Sequence, residues 1–235
     1  MSDAVLMPVY NEAPTVAAVL QAVRENFDGV VIVVDDGSND GTQVELAKHD
    51  DIVVVRLGKN QGYGCALRIG FDVAERLGVS RLVTMDCDGQ HESAHIPQFL
   101  LALEQGYDIV SGSRYLAESG VSGIAPADRR AINAQITQMI NSVTGWGLTD
   151  AFCGFKAYAM SALSKFTLIE PGYGMPLELW ANAWNAGLTV TELAVERIYR
   201  DQSRSFGPVL DDPQQRLDYY LNVWDNALER SGHGS

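Results

Sequence analysis

Through its first half the chain alternates short apolar, β-branched runs with segments whose apolar residues recur at helical spacing, a pattern that admits few architectures. Runs of this kind separated by helices belong in a parallel sheet covered by helices on its faces. The expected strands are 4–7, 30–34, 52–57, 82–85 and 109–111. Pro14 suits the first turn of a helix carrying Val16, Val19, Leu20 and Val23. A second helix is expected over 64–77 with Ala66, Ile69, Val73 and Leu77 toward the sheet, and Pro97 opens a third with Leu100, Leu101 and Leu103. Beyond Pro126 the pattern predicts a long helix to about 143, a glycine- and aromatic-rich stretch over 145–158, a helix near 176–186, a strand near 189–198 and a polar loop over 200–212. A last helix over 213–230 lines up Leu217, Tyr220, Leu221, Trp224 and Leu228, a stripe expected to pack on its own domain. Its polar face mixes Asp218, Asp225 and Glu229 with Arg216 and Arg230, which does not favour a membrane-surface helix. With no repeat, low-complexity tract or linker, residues 1–235 read as one α/β domain.

Ligands of open α/β sheets bind outside the carboxyl ends of the strands. At that edge, directly after Arg81-Leu82-Val83-Thr84-Met85, stands Asp86-Cys87-Asp88-Gly89-Gln90-His91. Two carboxylates one residue apart offer hard oxygen ligands to a divalent ion that also holds a diphosphate, which points to chemistry on a nucleotide-activated substrate. Taken alone, an Asp-x-Asp loop is as readily a solvated turn. Two further loops reach the same edge: Met7-Pro8-Val9-Tyr10-Asn11-Glu12 leaves the first strand, and Val33 to Thr42 leaves the second. Asp36 is placed to accept from a base or a ribose hydroxyl, and Gly37 and Ser38 permit close backbone approach. Asn39-Asp40-Gly41 reads as turn chemistry.

In Lys59-Asn60-Gln61-Gly62-Tyr63-Gly64-Cys65-Ala66-Leu67, the glycines match the first two positions of a dinucleotide fingerprint. The third position holds Leu67, too large for the close helix packing that motif requires, which counts against a dehydrogenase. No P-loop motif occurs.

Of 235 residues, 46% are hydrophobic and 20% charged, as in an ordinary globular protein. With 17 Lys and Arg against 30 Asp and Glu, a formal charge of −13 repels nucleic acid and anionic surfaces. Arginines collect at Arg129-Arg130 and at Arg197, Arg200 and Arg204, fitting either a small anionic ligand or a solvated face. Cys65, Cys87 and Cys153 form neither a disulfide framework nor a metal spacing. The first residues have no leader-like pattern and no window reaches a membrane-spanning length, so the expected location is cytoplasmic, with peripheral contact at the membrane as the variant.

Taken together, Pro8-Val9-Tyr10-Asn11-Glu12, Val34-Asp35-Asp36-Gly37-Ser38, Asn60-Gln61-Gly62-Tyr63-Gly64, Met85 to His91, Gly112-Ser113-Arg114-Tyr115 and Asp150-Ala151-Phe152-Cys153-Gly154-Phe155 resemble the family 2 glycosyltransferases. Within them the chain is similar to the polyprenyl-phosphate sugar synthase branch typified by dolichyl-phosphate mannose synthase. The resemblance implies the GT-A fold, with a nucleotide-sugar-binding half over about 1–115, an acceptor half over about 116–212 and the helix 213–230. It also implies a UDP- or GDP-sugar donor, Mg²⁺ or Mn²⁺, and inverting transfer of a hexose.

Carried over by position, it puts Pro8, Tyr10, Glu12 and Asp36 around base and ribose, in loops that also hold Ser38, Asn60 and Gly62. Asp86 falls near the ribose and metal, and Asp88 and Gln90 are metal ligands. Arg114, Arg130, Arg200 and Ser205 face the donor diphosphate or the acceptor phosphate, a task that suits the arginine fork. Asp150 is the candidate base for a hydroxyl acceptor; a phosphate acceptor needs none, and Asp150 then only orients its loop. Glu178 is a further acceptor-side candidate. His91 and His95 are not needed as ligands.

The chain departs from that branch in having no membrane anchor or basic membrane-facing region in this sequence, and residues 200–208 match its Arg-x-x-Gly-x-Ser loop only loosely. A polyprenyl phosphate and a soluble acceptor both stay open. The rival readings are a dinucleotide-dependent oxidoreductase and a non-catalytic nucleotide-sugar-binding module.

Overall fold

The first strand, β1 (Asp3–Val9), is buried on both faces. Ala4 and Leu6 point into one cluster with Leu67, Phe71 and Trp180, whereas Val5, Met7 and Val9 point into another with Val16, Leu20 and Phe99. The structure, a computed structural model, describes residues 2–122, 126–198 and 206–230. After β1 come α1 (Val16–Arg24), β2 (Val30–Asp35), α2 (Thr42–Leu46), β3 (Val53–Arg56), α3 (Tyr63–Arg76), β4 (Arg81–Thr84), α4 (Ile96–Glu104), β5 (Ile109–Ser113) and β6 (Val121–Ser122). Then follow α5 (Ala127–Thr144), β7 (Lys156–Ala159), α6 (Met160–Leu163), α7 (Met175–Asn185), β8 (Val190–Ala194), β9 (Arg197–Ile198) and α8 (Pro213–Arg230).

Seven strands form one sheet in the order β3-β2-β1-β4-β7-β5-β8, with β7 antiparallel to both neighbours and every other pairing parallel. The expected mostly parallel α/β sheet is therefore present. The chain runs from β1 outward through β2 to β3 and then returns to place β4 on the other side of β1. This reversal opens a crevice at the carboxyl ends of β1 and β4, the usual ligand position in such sheets.

Three sequence expectations need correction. Leu77 and Leu101 are 47% and 54% exposed, because the buried stripe of α3 is Leu67, Gly70, Phe71 and Ala74 and that of α4 is Ile96, Phe99, Ala102 and Leu103. Gly70 hides the true phase of α3: it is the point of closest approach to β1, where a Cβ would collide with the Leu6 side chain. The strand expected near 189–198 divides at Val195-Glu196, β8 joining the main sheet and β9 pairing with β6. Finally, β7 lies within and just beyond the stretch read only as glycine- and aromatic-rich; its first residue, Lys156, is buried and breaks the apolar pattern.

The stripe of α8 packs on α5 and α7, burying Tyr220, Val223, Trp224 and Ala227. Among the described residues no helix is long and apolar enough to cross a membrane.

Candidate active site

A cleft of about 570 Å³ opens at the sheet edge over the carboxyl ends of β1, β2 and β4. Its walls carry Pro8 near the end of β1, Tyr10 and Glu12 after it, Asp36 after β2, Asn60 and Gly62 before α3, and Asp86, Asp88 and Gln90 after β4. These nine residues, named from four separate sequence segments, meet in one cavity.

The first two loops are tied together by side chain to backbone bonds. Asn11, in a left-handed conformation at φ 56°, donates its N–H to Ser38 Oγ (2.9 Å), and its own side-chain oxygen accepts from the N–H of Asn39 (2.8 Å). Ser38 is thus a buried tie between loops and does not line the cleft, unlike its expected place at the nucleotide. Asp40 accepts from the N–H and hydroxyl of Thr42, which is the turn chemistry expected of Asn39-Asp40-Gly41. Asp36 accepts from the N–H of Gln61 (2.7 Å) and of Gly62 (2.8 Å), clamping the loop before α3. Burial pushes its carboxyl pKa above the ordinary value, against the pull of those two bonds.

Gly62 and Gly64 owe their size to protein packing. Gly62 has φ +103°, and a Cβ on it would collide with the carbonyl of Pro171; one on Gly64 would collide with that of Glu170. The glycine pair that resembled a dinucleotide fingerprint thus seats the loop 169–174.

Asp86 sits in a fitted slot. Its N–H donates to His91 Nδ1 (3.0 Å), which leaves the imidazole proton on Nε2, 3.9 Å from Asp86 Oδ2. The Tyr63 hydroxyl bonds to Asp86 as well, and burial together with that carboxylate's charge pushes the phenol pKa well above 10.0. A Cβ on Gly154 would lie 2.6 Å from Asp86 Oδ2, so a larger residue there would push the carboxylate from this position. Asp88 turns its own loop by accepting from the N–H of Gln90 (2.9 Å). Among the described residues no three His, Cys, Asp or Glu side chains converge as a metal site. Two carboxylates and an amide are a partial donor set, suited to an ion that completes its shell with phosphate oxygens and water.

The acceptor-side candidates fall differently. Arg114 lines the cleft, but its Nε and Nη2 bond to Asp150 at 2.6 and 2.9 Å. Asp150 is 0% exposed and also accepts from Asn133 Nδ2 (2.9 Å) and the Phe152 N–H (3.2 Å). Burial alone would raise its carboxyl pKa, but the Arg114 guanidinium and Asn133 hold it below the usual value. A carboxylate so saturated and enclosed fits the orienting role expected of it with a phosphate acceptor better than the role of a base. Glu192 fixes the same turn by accepting from the Thr149 hydroxyl and N–H and from the Asp150 N–H.

Glu178 is also fully buried, taking the N–H groups of Ile169 and Glu170 at 2.8 Å and an ion pair from Arg230. It holds the 169–174 loop and does not line the cleft. Arg130 is exposed on α5, while its neighbour Arg129, turned about 100° around the helix, lines the cavity. Arg200 and Ser205 lie outside the described residues.

Sequence reasoning did not place Tyr63, Tyr115, Phe152, Tyr173, Phe206, Arg216 or Tyr220 on the cleft wall. Arg216, expected on the polar face of α8, is instead 3% exposed, one turn before Tyr220 on the same side of the helix.

The model of the family described as glycosyl transferase family 2 matches residues 4–167. Polyprenol monophosphomannose synthase of Mycolicibacterium smegmatis is 32% identical over 200 residues, 81% of this chain and 75% of that protein. Undecaprenyl-phosphate mannosyltransferase of Micrococcus luteus is 29% identical over 208 residues, 85% of each. Among solved structures, glucosyl-3-phosphoglycerate synthase from Mycobacterium tuberculosis, in complex with Mn²⁺, UDP and glucosyl-3-phosphoglycerate, aligns with a TM-score of 0.71 at 18% identity, covering 98% of this chain and 80% of that one. The fold is that of the GT-A glycosyltransferases. The chain belongs to glycosyl transferase family 2 and is a glycosyltransferase, similar to the polyprenyl-phosphate sugar synthases.

Proposed function

We propose that this glycosyltransferase moves a hexose from a UDP- or GDP-sugar to a phosphate-bearing acceptor, with inversion and with a divalent metal. The observation that carries the reading is the convergence of Asp36, Asp86, Asp88 and the 8–12 loop on one cleft at the strand-order reversal. The names of the two relatives, which act on polyprenyl or undecaprenyl phosphate, support it. So does the Mn²⁺ and UDP complex of the solved structure, whose protein shares the fold.

In this reading Pro8, Tyr10, Glu12 and Asp36 take the nucleoside, and Asn60 and Gly62 border it. Mg²⁺ or Mn²⁺ held by Asp86, Asp88 and Gln90 would neutralise the departing diphosphate. An acceptor oxygen bonds to the anomeric carbon as the bond from that carbon to the diphosphate breaks, the electron pair leaving with the nucleoside diphosphate. An ionised phosphate oxygen has no proton to lose, so the burial of Asp150 against Arg114 is no obstacle to a phosphate acceptor. A hydroxyl acceptor would need a base that the 150–155 turn does not offer.

The test is calorimetric titration of the purified chain with UDP, GDP and NAD, each with manganese and with chelator, followed by transfer assays from the sugar of the base that binds. Metal-dependent binding of UDP or GDP with transfer to a polyprenyl monophosphate is the expected result. No metal-dependent binding of UDP or GDP would overturn the donor and metal assignments, and donor binding with no transfer to a polyprenyl monophosphate would overturn the acceptor assignment.

A further inference from the structure

Tyr63 stands between Asp86 and the loop 169–174. It is the first residue of α3, half-buried on the cleft wall, and its hydroxyl donates to the Asp86 carboxylate. Its ring stacks with that of Tyr173, the centroids 6.0 Å apart and the planes 18° from parallel. The backbone around it is docked on the same loop. The Cys65 N–H donates to the Pro171 carbonyl (3.0 Å), and Gly62 and Gly64 leave no room for a Cβ against the Pro171 and Glu170 carbonyls. The loop is held in turn by Glu178, which accepts from the Ile169 and Glu170 N–H groups, and by the Tyr219 hydroxyl of α8, which accepts from the Gly174 N–H (3.0 Å). Packing alone would need only the Tyr63 ring. The hydroxyl adds a directional bond that carries no charge, so it holds the Asp86 carboxylate and leaves its full negative charge for a cation. A lysine or arginine in its place would neutralise that charge.

We propose that Tyr63 is a positioning residue for Asp86, oriented by Tyr173, so that the loop 169–174 from the second half of the chain sets how firmly the donor site holds its cation. This rests on the transferase reading and deepens it, because it names a residue that acts on the metal through Asp86 and not through the nucleotide. Groups that hydrogen-bond to a metal-ligating carboxylate fix the direction of its oxygens, and their loss typically costs about 10- to 100-fold in metal affinity or activity.

The experiment compares the full-length wild type with Tyr63→Phe, Tyr173→Leu and the double variant. Each is titrated calorimetrically with whichever of UDP or GDP the wild type binds, in MnCl₂ and in chelator, and the electron paramagnetic resonance signal of free Mn²⁺ is followed in the presence of that nucleotide. Tyr63→Phe, which keeps the stacked ring, weakens the manganese-dependent binding about tenfold or more, releases Mn²⁺ and leaves binding in chelator unchanged. Tyr173→Leu causes a smaller loss in the manganese titration, and the double variant binds no more weakly than Tyr63→Phe, as expected when two residues act through one contact. Thermal melts accompany all variants; should Tyr173→Leu fail to fold, Tyr63→Phe still decides. Wild-type affinity in Tyr63→Phe would reduce the residue to ring packing and overturn the proposal. Equal losses in manganese and in chelator would show direct contact with the nucleotide and overturn it as well, and losses that add in the double variant would overturn the part given to Tyr173. Failure of the wild type to bind either nucleotide with manganese overturns instead the donor and metal reading on which the proposal rests.

Discussion

Arg114 grips Asp150 through two parallel bonds, Nε to Oδ2 at 2.6 Å and Nη2 to Oδ1 at 2.9 Å, with the carboxylate wholly enclosed. The pair joins the loop after β5 to the turn before β7 and so fixes the cleft wall where Arg114 and Tyr115 emerge. Removing one partner of a buried pair leaves an uncompensated charge, at a cost of roughly 3–5 kcal/mol.

Asp150→Asn is therefore expected to destabilise the chain by about 3 kcal/mol in urea unfolding at pH 7. Its folded pKa lies below that of the unfolded chain, about 3.9. The contribution is thus complete above pH 5 or so and is lost as pH falls through the folded value, where the unfolded chain has already bound its proton. Below about pH 4 the wild type should lose stability more steeply than Asp150→Asn. Parallel acid profiles for the two proteins would show that the pair is not the coupled unit described here.

Asp88→Ala should weaken manganese-dependent UDP or GDP binding by at least about tenfold, since losing a ligand costs no less than losing its support. The binding left in chelator should be unaffected. Calorimetry with and without manganese makes the comparison, and equal affinities for wild type and variant in manganese would refute the metal assignment.

Gly154→Ala tests the slot around Asp86. The added methyl would stand 2.6 Å from Asp86 Oδ2, so the carboxylate must shift while the sheet beneath keeps its register. The expected outcome is a folded protein with weaker metal-dependent nucleotide binding. Full affinity in the variant would mean that the exact placement of Asp86 does not matter to the donor.

Tyr219→Phe removes the hydroxyl that donates to Glu170 Oε1 (2.5 Å) and accepts from the Gly174 N–H (3.0 Å). Leaving that loop N–H and carboxylate short of a partner should cost about 1–3 kcal/mol. Faster amide exchange confined to 169–174 would place the loss where the bonds are; unchanged exchange there would count against α8 as the anchor of this loop.

Much of the donor side was legible from residues alone. Strand patterning gave β1 to β5 nearly in register, and once strands are parallel their trailing loops must share an edge, which is why Pro8, Asp36, Asp86 and Asp88 could be grouped before any coordinates. The acceptor side was not legible to the same degree. Arg129 and Arg130 are indistinguishable in a linear reading, and only the helical phase of α5 turns one into the cleft and the other to solvent. Asp150 and Glu178 looked like chemistry because carboxylates in a motif or beside a proline invite that reading; in the fold both are buried and hydrogen-bonded to the protein's own groups.

What the sequence by itself determined is whatever depends on local order: the parallel sheet, the loops that end its strands, the Asp-x-Asp turn and the apolar stripe of α8. Only the tertiary structure decided which polar groups are spent on one another and which face the cavity. Asp150 is consumed by Arg114, Glu178 by a loop and Arg230, and Gly62 and Gly64 by the backbone of 169–174. Such pairings join residues tens of positions apart, so their energies depend on distance and desolvation in space and leave no periodicity along the chain.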